Sequence, residues 1–280
     1  MTTFPTTTAP RLDVEIDAGT LRISTDDIDE TTVDVWPQHD DDAGRQLAAD
    51  TVVEQHGDDI VVRTPKRGRS WLGFSAALDV TIRAPHDARL RLSTGSADVT
   101  ATGRFADTSV GTGSGDVTIG HVADSARLRT GSGDVRVDAV DGDLDVKTGS
   151  GDVHVARVGG AMSARSGSGT IELGEGGRAL SATTGSGDVV VTSAPAEVGV
   201  KTGSGHVSMA AVRHGSVSVN AASGAIRAGI ASGTAAWLDV RTVSGRVAND
   251  LDCTPDPTEG DARVRLRLHT VSGDITIARA

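Results

Sequence analysis

Along the middle of the chain, apolar and polar residues alternate in short bursts that return at a fixed interval. After each Gly-Ser-Gly turn comes a pair such as Val117 and Ile119, Val135 and Val137, Val153 and Val155, or Val189 and Val191. A second pair follows a polar corner: Ala126 and Leu128, Leu144 and Val146, Met162 and Ala164, Leu180 and Ala182, Val198 and Val200. Period-two alternation puts each pair on one face of a strand. The turns keep time with the strands. Gly95, Gly113, Gly131, Gly149, Gly167, Gly185 and Gly203 hold the second position of Thr-Gly-Ser-Gly-Asp-Val or a close variant, and each step is 18 residues.

Two strands and one invariant turn per 18 residues describe one coil of a solenoid, with inward rows stacking at roughly 4.8 Å per rung. An antiparallel sandwich or barrel has strands at a similar spacing but needs no identical turn at identical intervals. A propeller needs a repeat of about 40 residues. The pattern therefore predicts an all-β, single-chain β-solenoid of stacked two-strand rungs. Beyond Gly203 the register loosens: Ser223-Gly224 comes one residue late, Ser244-Gly245 21 residues later and Ser272-Gly273 a further 28. Loops added between rungs would produce such growth. Upstream, Leu12-Val14-Ile16, Leu21-Ile23, Val33-Val35, Ile60-Val62 and Leu78-Val80-Ile82 keep the strand grammar without the motif. The expected organisation is a flexible segment over 1–10, irregular β coils and a cap over 11–92, and regular solenoid with enlarged C-terminal rungs over 93–280.

Composition agrees with thin stacked strands. Aromatics are 2% of the chain, Tyr is absent, and glycine reaches 35 residues, which suits β-branched cores and tight turns. Continuing the alternation from Leu128 places Thr130 and Ser132 inward, where hydroxyls can bond from rung to rung. The outward neighbours Thr118, Arg136 and His154 are mixed, which argues against an ice-binding face. On the late strand holding Val264, Leu266 and Leu268, the alternating Arg263, Arg265 and Arg267 read as gatekeepers against edge pairing. The formal charge of −11 disfavours nucleic acid or an anionic membrane as the main partner. Cys253 is the single cysteine, so no intrachain disulfide is expected. Met1–Pro10 lacks a basic segment followed by an apolar one, so neither signal peptide nor membrane span is expected and the location reads as cytoplasmic.

Candidate chemistry is sparse. The row Asp98, Asp116, Asp134, Asp152, Asp188 and Asp274 resembles a cation ladder, but Thr170, His206, Ala225 and Arg246 interrupt it and calcium needs six to eight oxygens. It reads better as turn capping, with no metal and no cofactor. Histidines are scattered without ligand spacing, and no Gly-x-Ser-x-Gly elbow joins a strand to a helix. The segment from Thr64 to Ser75 gathers Lys66, Arg67, Arg69, Trp71 and Phe74, basic and aromatic residues in an acidic, aromatic-poor chain. It is the candidate partner-binding loop, since Trp and Arg favour interfaces. Trp237 and Leu238, in an enlarged repeat, are expected in the core.

The Gly-Ser-Gly-Asp-Val repeats, together with Ala235-Ala236-Trp237-Leu238-Asp239, Asn249-Asp250-Leu251-Asp252, Ser272-Gly273-Asp274-Ile275-Thr276-Ile277 and the Thr64-Pro65-Lys66/Trp71 segment, resemble the bacterial "putative adhesin" family of stacked β-repeats, a domain of unknown function. The resemblance implies a β-helical fold and supplies no catalytic residues. The expectation is a non-enzymatic interaction or scaffold protein with a protein or extended polymer partner, as a monomer or an end-to-end homo-oligomer. The alternatives are an adhesin-like surface or glycan-binding protein and a polysaccharide-active β-helix enzyme. The enzyme would need a groove with clustered carboxylates and arginine on one wall.

Overall fold

The computed structural model describes residues 1–6, 8–65, 76–251 and 262–280. Among them run twenty-six β-strands and one short helix. The chain is all-β, and its rungs are those of a β-solenoid: two parallel-stacked walls joined at each rung by a turn. The residues fall into two compact units, Met1–Asp141 and Gly142–Ala280.

The first unit contains β1 (Thr2–Pro5), β2 (Arg11–Ile16), β3 (Gly19–Asp26), β4 (Glu30–Pro37), α1 (Asp42–Asp50), β5 (Val52–His56), β6 (Asp59–Arg63), β7 (Leu78–Pro85), β8 (Ala88–Thr94), β9 (Asp98–Thr112), β10 (Val117–Val122), β11 (Ala126–Thr130) and β12 (Val135–Val140). One wall stacks β6, β2, β8, the second half of β9, and β11 in parallel. The other stacks β7, β3, the first half of β9, β10 and β12. Alternation points one row inward, so Leu12, Val14, Leu21, Ile60, Val62, Val80 and Ile82 are fully buried while their neighbours face water. β9 turns its corner at Gly103, whose φ is +95°. Just beyond it Phe105 is the one aromatic side chain in the core among the described residues.

The rung order in space differs from that in sequence. β2 and β3 come first along the chain but lie between the β6/β7 rung and the β8/β9 rung. The chain leaves β3, covers the edge, returns as β6/β7, and only then proceeds to β8. The cover is antiparallel: β4 on β7, β1 on β4, and β5 on β6. Residues 1–10, read from composition as a flexible lead, thus supply strand β1. Helix α1 starts where the Asp41 carboxylate accepts the Gly44 N–H at 2.6 Å, an N-cap that satisfies an otherwise orphaned donor. Leu47 is its buried apolar residue.

The second unit contains β13 (Leu144–Thr148), β14 (Val153–Val158), β15 (Ala161–Ser166), β16 (Ile171–Gly176), β17 (Ala179–Thr184), β18 (Val189–Ser193), β19 (Glu197–Thr202), β20 (Val207–Val212), β21 (Gly215–Ser223), β22 (Ile226–Ile230), β23 (Ala235–Ser244), β24 (Val247–Asn249), β25 (Arg263–Ser272) and β26 (Ile275–Arg279). From β13 to β22 each strand pairs in parallel with the strand one rung later. At the far end the order changes again. β25 lies between β21 and β23, and β26 between β22 and β24. The 28-residue interval before Ser272-Gly273 takes in residues 250–262 between β24 and β25, and the rung that follows them, β25/β26, stacks out of sequence order. It follows that β25, with its arginines, is an interior strand. The edge is β23.

Each motif residue has a physical task in the turn. The Thr hydroxyl at its start accepts the N–H three residues on: Thr112 from Gly115 at 3.0 Å, Thr148 from Gly151 at 2.9 Å, Thr202 from Gly205 at 2.9 Å. The rung-to-rung link expected of these hydroxyls is present but longer, 3.4 Å from Thr184 to the Gly169 carbonyl. Ser132 and Ser150 are exposed, not inward, because the parity breaks at the first glycine. That glycine and the next are set by rung-on-rung approach. A Cβ on Gly187 would lie 1.9 Å from the Gly169 oxygen, and one on Gly203 2.4 Å from that of Gly185. In the last three turns the first glycine becomes Ala222, Val243 or Val271, and the strands run on to Ser223, Ser244 and Ser272.

Candidate binding surface

A solenoid wall offers its outward row to partners, so charge on the surface follows from strand parity. On the first wall of the Met1–Asp141 unit, Leu12, Leu90, Leu92, Val110 and Leu128 point in, which leaves Asp13, Arg91, Ser109 and Arg127 pointing out in one row across the rungs. The next outward row is Arg63, Glu15, Ser93, Gly111 and Arg129. Ser93, Ser109 and Gly111 are small, and the side chains around them are long. The result is a shallow depression of about 460 Å³, floored by the small residues and rimmed by Arg63, Arg91, Arg127 and Arg129 with Asp13 and Glu15. Arg63 reaches Asp13 at 3.0 Å. Two residues along a strand span about 7 Å, so Arg127 and Arg129 leave β11 on the same face at about that spacing. A second depression in the unit has the opposite character, with Asp26, Asp27, Asp29 and His86 in its lining.

The candidate residues Lys66, Arg67, Arg69, Trp71 and Phe74 lie outside the described residues. Sequence reasoning missed the arginines of the depression, which come from three strands, β6, β8 and β11, and are separated by up to 66 residues (129 − 63). The usable signal was parity: Arg127 and Arg129 flank inward Leu128, and Arg89 and Arg91 flank inward Leu90.

The Asp row proves to be a set of backbone caps. Asp98 accepts the N–H of Asp116 at 3.0 Å, Asp116 that of Asp134 at 2.8 Å, Asp152 that of Thr170 at 2.7 Å, Asp188 that of His206 at 2.7 Å, and Asp274 that of Arg246 at 2.8 Å. Each carboxylate satisfies the turn of the neighbouring rung. Where the row carries His206, its Nδ1 accepts the Ala225 N–H at 2.9 Å, so an imidazole performs the same task. Among the described residues no group of three or more His, Cys, Asp or Glu side chains is arranged to hold a metal ion.

Trp237 departs from the expected core position. It is 54% exposed, and the Arg265 guanidinium stacks over its ring at 5.2 Å. Beside it Asp239 meets Arg241 at 3.1 Å and Arg267 at 3.6 Å. No helix among the described residues is long and apolar enough to cross a membrane.

Comparison with solved structures returns a protein of Bacteroides fragilis NCTC 9343 named "putative adhesin", 13% identical, with a TM-score of 0.40 over 100% of this chain and 96% of that one. A second "putative adhesin", from Parabacteroides distasonis ATCC 8503, is 12% identical, with a TM-score of 0.40 over 98% and 96%. A protein of the same organism named "putative lipid binding protein" is 12% identical, with a TM-score of 0.36 over 99% and 96%. No functionally curated protein matches the chain. Residues 10–193 and 177–278 match the family model of Toastrack DUF4097, in keeping with the β-repeat family that the motifs resemble, and the chain belongs to that family.

Proposed function

We propose that the protein is a non-enzymatic binding scaffold that holds an extended anionic polymer against the outer wall of the Met1–Asp141 unit. The observation that carries this reading is the arginine-rimmed depression in a chain whose formal charge is −11. Arginine forks match carboxylate, sulfate and phosphate oxygens bidentately. The floor hydroxyls of Ser93 and Ser109 add neutral donors. Among the described residues the lining holds no aromatic ring on which bases would stack, and its arginine forks beside hydroxyl donors suit an anionic glycan. A cytoplasmic location is part of the same proposal, and cell fractionation tests it.

One feature of the lining favours a second reading. Asp13 and Glu15 share an outward face with the arginines, and a polysaccharide-active β-helix enzyme requires carboxylates and basic groups on one wall. Against it, the Asp13 carboxylate is engaged by Arg63. Polygalacturonate separates the two readings, with dextran sulfate as a second anionic polymer and dextran as the neutral control. The scaffold reading expects salt-sensitive retention of both anionic polymers and no shortening of the polygalacturonate. Arg91→Ala/Arg129→Ala should weaken retention by about tenfold or more, given about 1.5–3 kcal/mol for each charged hydrogen bond lost. Equal retention by the variant refutes the site, and depolymerisation supports the enzyme.

A further inference from the structure

Among the described residues, β23 pairs only with β25 and β24 only with β26, so the last rung of the Gly142–Ala280 unit leaves one side of both strands unpaired. This edge is also where apolar surface collects. Four of the seven exposed large hydrophobic side chains among the described residues, Trp237, Val243, Val247 and Val271, belong to it or to the strand beside it. Leu238 and Val240 are inward residues like Leu266 and Leu268 one rung below, yet are only part-buried, whereas those two are fully buried.

We infer that the open edge of β23 pairs antiparallel with the same edge of a second copy of this chain, about a two-fold axis through Val240. The Ala235 N–H donates to the Ala262 carbonyl at 2.9 Å, so the odd-numbered residues of β23 direct their backbone groups to β25. Alternation then turns the N–H and C=O of Ala236, Leu238, Val240 and Thr242 toward the open side. An axis through Val240 makes Val240 exchange both hydrogen bonds with its copy, and makes Leu238 exchange both with Thr242. The outward residues fall into the closer, non-hydrogen-bonded pairs. Asp239 faces Arg241 of the second copy, and Trp237 faces Val243, each twice by symmetry.

Neighbouring registers lack this match. An axis through Asp239 sets Asp239 against itself, and one through Arg241 sets Arg241 against itself. An axis through Leu238 puts Trp237 against Asp239, and one through Thr242 puts Arg241 against Val243. Only the Val240 axis joins both opposite charges and both exposed apolar side chains. It also continues the inward column, since Val240 meets Val240 and the half-covered Leu238 gains a partner. The same axis brings β24 onto its own copy. None of this depends on what the arginine wall binds.

Light scattering of the full chain after size exclusion, across dilution from about 100 µM, tests the inference. A dimer is expected. Arg241→Glu and Asp239→Lys each set like charges face to face, and each alone should weaken the dimer by about tenfold or more. Mixed, the two variants should recover a dimer, because each variant then meets its opposite charges. Val240→Pro removes an N–H that serves only the open edge, a position where proline is tolerated, and it should yield folded monomer. A monomeric wild type overturns the inference, as does a dimer indifferent to all three substitutions or a mixture that stays monomeric.

Discussion

In the Met1–Asp141 unit the opening rung of the sequence, β2/β3, lies between β6/β7 and β8/β9; in the Gly142–Ala280 unit the closing rung, β25/β26, lies between β21/β22 and β23/β24. Each unit thereby flanks its first or last rung in sequence on both sides and builds the end of its stack from an internal stretch of chain. The two edges are finished differently. β6/β7 is covered by β5, β4 and β1 with helix α1, and its inward Ile60, Val62, Val80 and Ile82 are fully buried. β23/β24 has no such cover among the described residues, and its inward Val247 is 48% exposed. Stacking from below is not enough to bury the inward row of a last rung. Something must close it from above, either the chain itself or another molecule.

Removal of the inserted rung should have the largest effect. A chain ending at Leu251 lacks β25/β26, so β23/β24 loses both of its strand partners, and the expected cost exceeds about 4 kcal/mol or abolishes the fold of the second unit. Limited proteolysis should cut between residues 235 and 249. Removing Met1–Pro5, which pairs only with β4, should cost about 1–2 kcal/mol in a denaturant melt. If the shortened chain keeps 235–249 protected, the rung order described for this unit is wrong.

A gentler test compares inward residues one at a time. Leu266→Ala in the inserted rung and Ile60→Ala in the covered edge rung should each cost about 2–5 kcal/mol, since both side chains are fully buried and each leaves a cavity. Leu238→Ala, in the same inward row as Leu266 but only part-buried, should cost about 1 kcal/mol in the monomer. Equal losses at all three positions would mean that the open edge is already covered.

Much of the regular stack was legible because its period and its burial have one cause. A Cβ-free position where Gly187 passes under the Gly169 carbonyl recurs through the regular rungs, and so do the inward pairs such as Val189 and Val191. The inserted rungs were not legible. The turns at Ser223-Gly224, Ser244-Gly245 and Ser272-Gly273 are nearly alike in sequence, and nothing local states which stacks on which. Trp237 was read as core because a large apolar residue in a strand usually is, but parity with buried Leu266 beneath Leu238 places it outward. The arginine depression was hidden for another reason. Its members are distant in the chain, and only the register of Asp13, Arg91, Ser109 and Arg127 across the rungs assembles them.

The Asp caps give the finest measure of the difference between an interior rung and an open one. Asp188 accepts the His206 N–H at 2.7 Å inside the stack, and Asp274 accepts the Arg246 N–H at 2.8 Å at the edge. The bonds are chemically equivalent, so truncating either carboxylate should cost about 1 kcal/mol of local stability. What differs is how far that loss spreads. His206 lies in a turn with rungs on both sides, so Asp188→Ala should lower the stability of the second unit as a whole and shift its denaturant midpoint. Arg246 belongs to the last rung, which can open without disturbing those below, so Asp274→Ala should raise hydrogen exchange at Val247–Asn249 and leave the midpoint nearly unchanged. In a dimer closed over β23 and β24 the edge can no longer open alone, and the two substitutions should then converge as concentration rises.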